Sequence, residues 1–169
     1  MVNQLCQISP QTKQPQKPHN NMNEENLSFK ISLTGTFWDR RPQFSVWFDD
    51  HVVIQSEIAS SAEQIIAFER RVDEGPHELK IRLENKITTD VVIEQGEVIK
   101  DMLLNIDDIT IDDISLGNLL WSAEYILDKK ETYKGQKIDH LDGCVNLGWN
   151  GTYTLKFSSP FYIWLLEKL

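Results

Sequence analysis

The stretch Leu103–Leu116, LLNIDDITIDDISL, decides how this chain is read. Leu, Ile and Thr alternate there with acidic pairs in a near-repeat of IDDI, which predicts a β-strand with an apolar side and a carboxylate-rich side. Binding sandwiches are built from such strands, whereas the start of a nucleotide-binding helix has a different pattern. No catalytic signature accompanies the stretch.

Alternation with a period of two continues upstream. Phe29, Ile31 and Leu33 alternate with Lys30, Ser32 and Thr34, and Phe44, Val46 and Phe48 alternate with Ser45, Trp47 and Asp49. Each run predicts a half-buried strand. Asp49-Asp50 predicts a tight turn into a strand over 51–58, and Val72-Asp73-Glu74-Gly75-Pro76 a stronger turn before Leu79, Ile81 and Leu83. Residues 60–68 fit helix or strand, and the flanking strands favour strand. Glu94-Gln95-Gly96-Glu97 is a further turn ahead of the IDDI segment.

Downstream, residues 119–127 read as a strand or a short helix and 128–143 as a polar loop or insertion. Tyr153, Leu155 and Phe157 alternate with Thr152, Thr154 and Lys156 as the last strand. Pro160 then opens FYIWLLEKL, a short apolar run that predicts a C-terminal helix of a turn or two. Alone it would have negligible stability, so it must pack on the domain or on another chain. Many short strands separated by turn residues predict an all-β fold, an antiparallel, jelly-roll-like β-sandwich over 27–169.

Residues 1–26, MVNQLCQISPQTKQPQKPHNNMNEEN, are rich in Gln, Asn, Pro and Lys and poor in large apolar side chains. Such a composition cannot bury enough surface to fold by itself. It reads as an arm, either a disordered leader or an extended segment that orders on a neighbouring subunit.

The net charge of −9 repels phosphate, so neither nucleic acid nor an anionic membrane is an expected partner. The longest apolar run, 161–166, is too short to cross a bilayer, and no basic start followed by an apolar core marks a signal peptide. Cys6 and Cys144 make neither a disulfide framework nor a zinc site and suit a reduced cytoplasm. Arg40-Arg41 and Arg70-Arg71 read as solvated surface.

The string Leu104-Asn105-Ile106-Asp107-Asp108-Ile109, preceded by Asp101, resembles a signature of calcium-dependent xylan-binding carbohydrate modules, which are small jelly-roll sandwiches. The resemblance covers 27–116. It implies that Asp101 stands at an acidic calcium-ligand position and Asn85 at an Asn in the loop after the preceding strand. The chain departs from the pattern at Met102 and Leu103, which replace an Arg and an Asn, and at Lys86, which replaces an Asp. Calcium needs six to eight oxygen ligands, so exchanging a carboxylate for an ammonium weakens the implied site. A second resemblance joins SLTGTFWDRRPQFSVWFDD, KDMLLNIDDITIDDISLGNL and NLGWNGTYTLKFSSPFYIWLLEKL. Together they are similar to small uncharacterised proteins of contractile-tailed phages of marine cyanobacteria and related hosts, which implies a virion location after synthesis in the host cytoplasm.

Aromatic residues supply the binding candidates. Trp149 sits between Gly148 and Gly151 in a tight loop, where it either closes the core or presents an indole. Trp47 lies opposite the inward Phe44, Val46 and Phe48, and with Trp38 in the FWDRRP loop it could form an aromatic platform flanked by Arg. Phe161, Tyr162 and Trp164 are anchors for the domain core or for a partner.

No enzyme is expected. Asp107, Asp108, Asp112 and Asp113 carry nothing that separates an acid from a base, as a glycosidase pair requires. His19, His51, His77 and His140 belong to no ligand motif, and phosphate-binding glycine loops and GxSxG are absent. The expected function is a non-enzymatic virion protein that decorates, cements or connects by binding neighbouring structural subunits. The alternative is a carbohydrate-binding module that adheres to host surface glycans. No cofactor is expected beyond the calcium that the first resemblance implies, and homo-oligomerisation is left open.

Overall fold

The computed structural model describes residues 24–169. Residues 1–23, with Cys6, His19 and most of the expected arm, lie outside the described residues. Glu24, Glu25 and Asn26, which composition assigns to that arm, are the first residues of a strand.

Thirteen strands and one helix are described, in the order β1 (Glu24–Thr36), β2 (Gln43–Phe48), β3 (His51–Glu57), β4 (Gln64–Asp73), β5 (Gly75–Leu83), β6 (Val92–Glu94), β7 (Glu97–Lys100), β8 (Leu103–Ile111), β9 (Ile114–Ser115), β10 (Glu124–Tyr133), β11 (Gln136–Asp142), β12 (Asn146–Leu147), β13 (Gly151–Ser159) and α1 (Phe161–Lys168). One sheet runs β12-β8-β1-β4, with β9 beside β8, a second runs β11-β10-β13-β5-β2-β3, and β6 and β7 pair as a separate two-stranded ribbon. Every pairing is antiparallel. The chain changes sheet at most of its connections, so the two layers are closed by crossings at both ends.

The alternating residues point as the sequence predicts. Phe29, Ile31 and Leu33 of β1 face Phe44, Val46 and Phe48 of β2 and Tyr153, Leu155 and Phe157 of β13 across the core, and all are buried. The Phe29 ring lies 5.4 Å from that of Phe48 and 6.1 Å from that of Phe157, which joins the two sheets through aromatic contacts. β4 begins at Gln64, so the strand expected over 60–68 starts four residues late, after the bend at 60–62.

The IDDI repeat divides into two different structures. Ser32 pairs with Asp108 but Leu33 pairs with Ile106, which leaves Asp107 as a β-bulge. That extra residue is what lets Leu104 and Ile106 share the buried face with Ile109 and Ile111, although the Ile106–Ile109 spacing breaks a period of two. The second acidic pair is no strand. Asp112 and Asp113 have φ of 48° and 61° and form the tight turn between β8 and β9, because two left-handed residues match the twist of a hairpin. The expected carboxylate-rich strand face is therefore absent.

Two further expectations change. Residues 117–122 form a 3₁₀ turn that leads into β10, so the segment 119–127 holds both of its alternatives in succession. Residues 128–143, expected as a loop, are most of the β10–β11 hairpin, turned at Lys134-Gly135 with φ of 48° and 77°. Its outer part is solvated on both faces, so no hydrophobic alternation announces it.

The helix packs on its own domain. Phe161, Trp164 and Leu165 share the buried stripe, with the Trp164 ring 6.1 Å from Phe157 and 5.9 Å from Phe161. The Phe161 amide donates to Glu25 Oε1 at 2.7 Å and ties the helix start to β1.

Candidate functional site

The structure brings Trp38, Asn85, Asp101 and Trp149 to one end of the sandwich, where the β1–β2, β5–β6, β7–β8 and β12–β13 connections meet. Polar groups there are largely engaged with one another. Arg40 pairs with Asp90 at 3.1 Å and donates to the Asn85 carbonyl at 3.0 Å. Asp90 is almost fully buried, and the same oxygen accepts from the Ile87 amide at 2.8 Å, so the charge is compensated. Trp38 donates to the Asp90 carbonyl at 3.0 Å while Lys100 covers its ring at 4.5 Å.

Asn85 is committed at both ends of its amide. Its Oδ1 accepts from the Gln43 amide at 2.8 Å, and its Nδ2 donates to the Arg41 carbonyl at 2.9 Å. Asp101 is held by Lys86 at 2.5 Å and by the Met102 amide at 2.7 Å. The two residues that the first resemblance places at a metal site are therefore part of a hydrogen-bonded structural cluster. Among the described residues no group of three or more His, Cys, Asp and Glu side chains is arranged to hold a metal.

Trp149 is half-buried against the core, edge-on to Tyr133 at 5.9 Å. Its backbone carbonyl accepts from the Tyr125 hydroxyl, which in turn accepts from the Trp149 amide at 3.0 Å. Burial pushes the Tyr125 hydroxyl's pKa far above its ordinary range. Trp47 does not join Trp38 in a platform. It stands at the other end of β2, opposite Lys80, and donates to Ser45 Oγ at 2.9 Å.

Phe161 and Trp164 are 0% and 7% exposed, which removes them from the surface, while Tyr162 is 51% exposed. Their end of the domain is opposite the loop cluster, at the far end of β13. Trp121, more than half exposed, is an aromatic that sequence reasoning passed over.

A different surface carries an open polar groove. The outward face of β10, β13 and β5 forms a groove of about 400 Å³ lined by Glu78, Lys80, Arg82, Glu124, Ile126, Asp128, Thr152, Thr154 and Lys156. Antiparallel register sets these side chains in rows. One row runs Trp47, Lys80, Thr154, Glu124, and the next runs Ser45, Arg82, Thr152, Ile126. Arg82 reaches Thr152 Oγ1 at 2.9 Å and Asp128 at 2.6 Å, and Lys80 reaches Glu78 at 2.9 Å. The Glu78 hydrogen bond holds the Lys80 ammonium above its ordinary range against the opposing effect of burial.

Three cationic and three anionic side chains line the groove, so it is locally neutral on a protein of net charge −9. Thr152, whose hydroxyl accepts from Arg82, and the largely buried Thr154 lie along its middle, the charged groups offer strong donors and acceptors, and exposed Ile126 adds an apolar spot. The signal for it was present in the sequence: Glu78, Lys80, Arg82 and Thr152, Thr154, Lys156 are the polar halves of alternating strands. Only the strand order places them side by side.

Comparison with known proteins gives a fold likeness. No family model matches the chain, and no curated protein does. Among solved structures, vCBM60 in complex with galactobiose matches with a TM-score of 0.51 at 12% identity, over 76% of this chain and 96% of that one. A selenomethionine form of vCBM60, described in connection with a circular permutation linking two families of calcium-dependent carbohydrate-binding modules, matches with a TM-score of 0.51 at 13% identity, over 76% of this chain and 89% of that one. The described domain thus has a fold similar to a carbohydrate-binding module.

Proposed function

We propose that this chain is a non-enzymatic carbohydrate-binding module whose ligand lies along the outer face of β10, β13 and β5. The observation that carries the reading is the neutral groove with Thr152 and Thr154 along its middle and ammonium, guanidinium and carboxylate groups around them. A neutral polyhydroxylated chain presents donors and acceptors at short intervals and matches such a lining. A polyanion would meet Glu78, Glu124 and Asp128, and a purely apolar ligand would strand every charge in the groove. The fold likeness to vCBM60 supports the same reading.

The virion role implied by the second sequence resemblance has no counterpart in the fold comparisons, and most of the arm on which it depends lies outside the described residues. Sugar binding, the alternative reading of the sequence, is therefore the one adopted.

The test is a glycan array with the full chain, followed by calorimetric titration of the best neutral oligosaccharide. Arg82→Ala removes charge-assisted donors at the centre of the groove and weakens binding by roughly tenfold or more, because such bonds contribute about 1.5–3 kcal/mol. Tyr162→Ala, at the opposite end of β13, leaves the affinity unchanged. Equal affinity for the wild type and the Arg82 variant, with both folded by circular dichroism, places the ligand elsewhere; no sugar bound at all removes the reading.

A further inference from the structure

We propose that the Lys86 ammonium is a built-in cation that holds the loop end of this sandwich together in place of a divalent ion. The solved structure similar in fold is described among calcium-dependent modules, but the residues present here do not fit calcium. At the two positions that the sequence resemblance gives to the metal, Asn85 has its carbonyl oxygen on the Gln43 amide, and Asp101 already holds an ammonium at 2.5 Å. A divalent ion on the same carboxylate would be repelled by that ammonium and would find one side-chain carboxylate where it needs six to eight oxygens.

The lysine is built in. Its side chain is only 9% exposed. Its backbone amide donates to Asn150 Oδ1 at 2.8 Å, and its carbonyl accepts from Asn150 Nδ2 at 2.9 Å, so one asparagine side chain fixes the peptide from both sides. Asp101 also accepts from the Met102 amide, next to a fully buried Met102 side chain. The ammonium therefore ties the exit of β5 to the start of β8, and the backbone of the same lysine ties that point to the β12–β13 loop through Asn150. Those are the two ends of the excursion 84–102 and the strand connection beside it. Outside the two ends, the excursion has Arg40 on buried Asp90 and Lys100 over Trp38 as its main anchors. An internal positive charge at its base does what a bound cation does, with no dissociation.

This inference is independent of sugar binding, since its readout is thermal stability. The full chain is melted in chelator and in millimolar calcium. The wild type is expected to melt at one temperature in both, and a rise of several degrees in calcium overturns the proposal. Lys86→Met is expected to melt roughly 5 °C or more below the wild type in both conditions, because it leaves a half-buried carboxylate without its partner. An unchanged melting temperature there overturns the proposal. Lys86→Asp places two carboxylates together and is expected to melt further below the wild type than Lys86→Met; a melting temperature equal to the wild type's overturns the proposal. If that variant does not fold in either condition, the exchanged pair Lys86→Asp with Asp101→Lys decides: a cooperative melt in chelator supports the proposal, and its absence overturns it.

Discussion

Single residues in this protein are often committed by both of their polar ends, and His77 shows the consequence. Its Nδ1 faces Asp49 Oδ2 at 3.0 Å and its Nε2 faces the Asp73 carbonyl at 2.8 Å, so only the imidazolium can donate to both. Burial of the ring lowers its pKa, but these two acceptors outweigh burial and raise it above 6.5. Because the folded value exceeds the unfolded one, the stabilisation is complete below about pH 6.5 and is lost as pH rises through the folded value. Urea midpoints from about pH 6 to pH 9 should fall faster for the wild type than for His77→Gln, and parallel profiles would refute this account. The sequence placed His77 beside a turn, but its two acceptors come from different turns, which a linear pattern does not join. Asp112 and Asp113 teach the same lesson: their residue type permits both a strand and a left-handed turn, and the Ser28 amide bound to Asp112 at 2.8 Å belongs to β1.

At the scale of elements, local pattern predicted most strands and left the irregular ones open. The inward residues of β1, β2, β5 and β13 were legible because each has one buried face, whereas the bulge at Asp107 follows from the register of β8 against β1. The helix is held by three residues and should divide sharply by mutation. Trp164→Ala should cost about 3–5 kcal/mol, since the ring is packed against Phe157 and Phe161, whereas Tyr162→Ala should change stability by less than about 0.5 kcal/mol. Denaturant unfolding of both variants checks this, and similar losses would place the helix differently. β10 and β13 approach so closely at Gly151 that an added Cβ would collide with the Ile126 carbonyl oxygen. Gly151→Ala should therefore lose about 2 kcal/mol or more by forcing the strands apart, and a neutral effect in the same measurement would count against this pairing.

For the whole molecule, the groove is a product of strand order. Its lining comes from 78–82, 124–128 and 152–156, three segments that are far apart in sequence and adjacent because β13 lies between β10 and β5. The loop end is likewise assembled from four connections, and a Lys-for-Asp departure that reads as damage to a metal site becomes, in three dimensions, an ion pair with Asp101. Sequence alone determined the β class, the inward faces of the regular strands, several turns and the C-terminal helix, because each follows from residue type and spacing within a few positions. Tertiary structure decided which strands are neighbours, that Phe161 and Trp164 belong to the core, that Trp38 and Trp47 stand apart, and where the polar groove lies. Those outcomes depend on pairings between segments distant along the chain, for which alternation supplies a face but no partner.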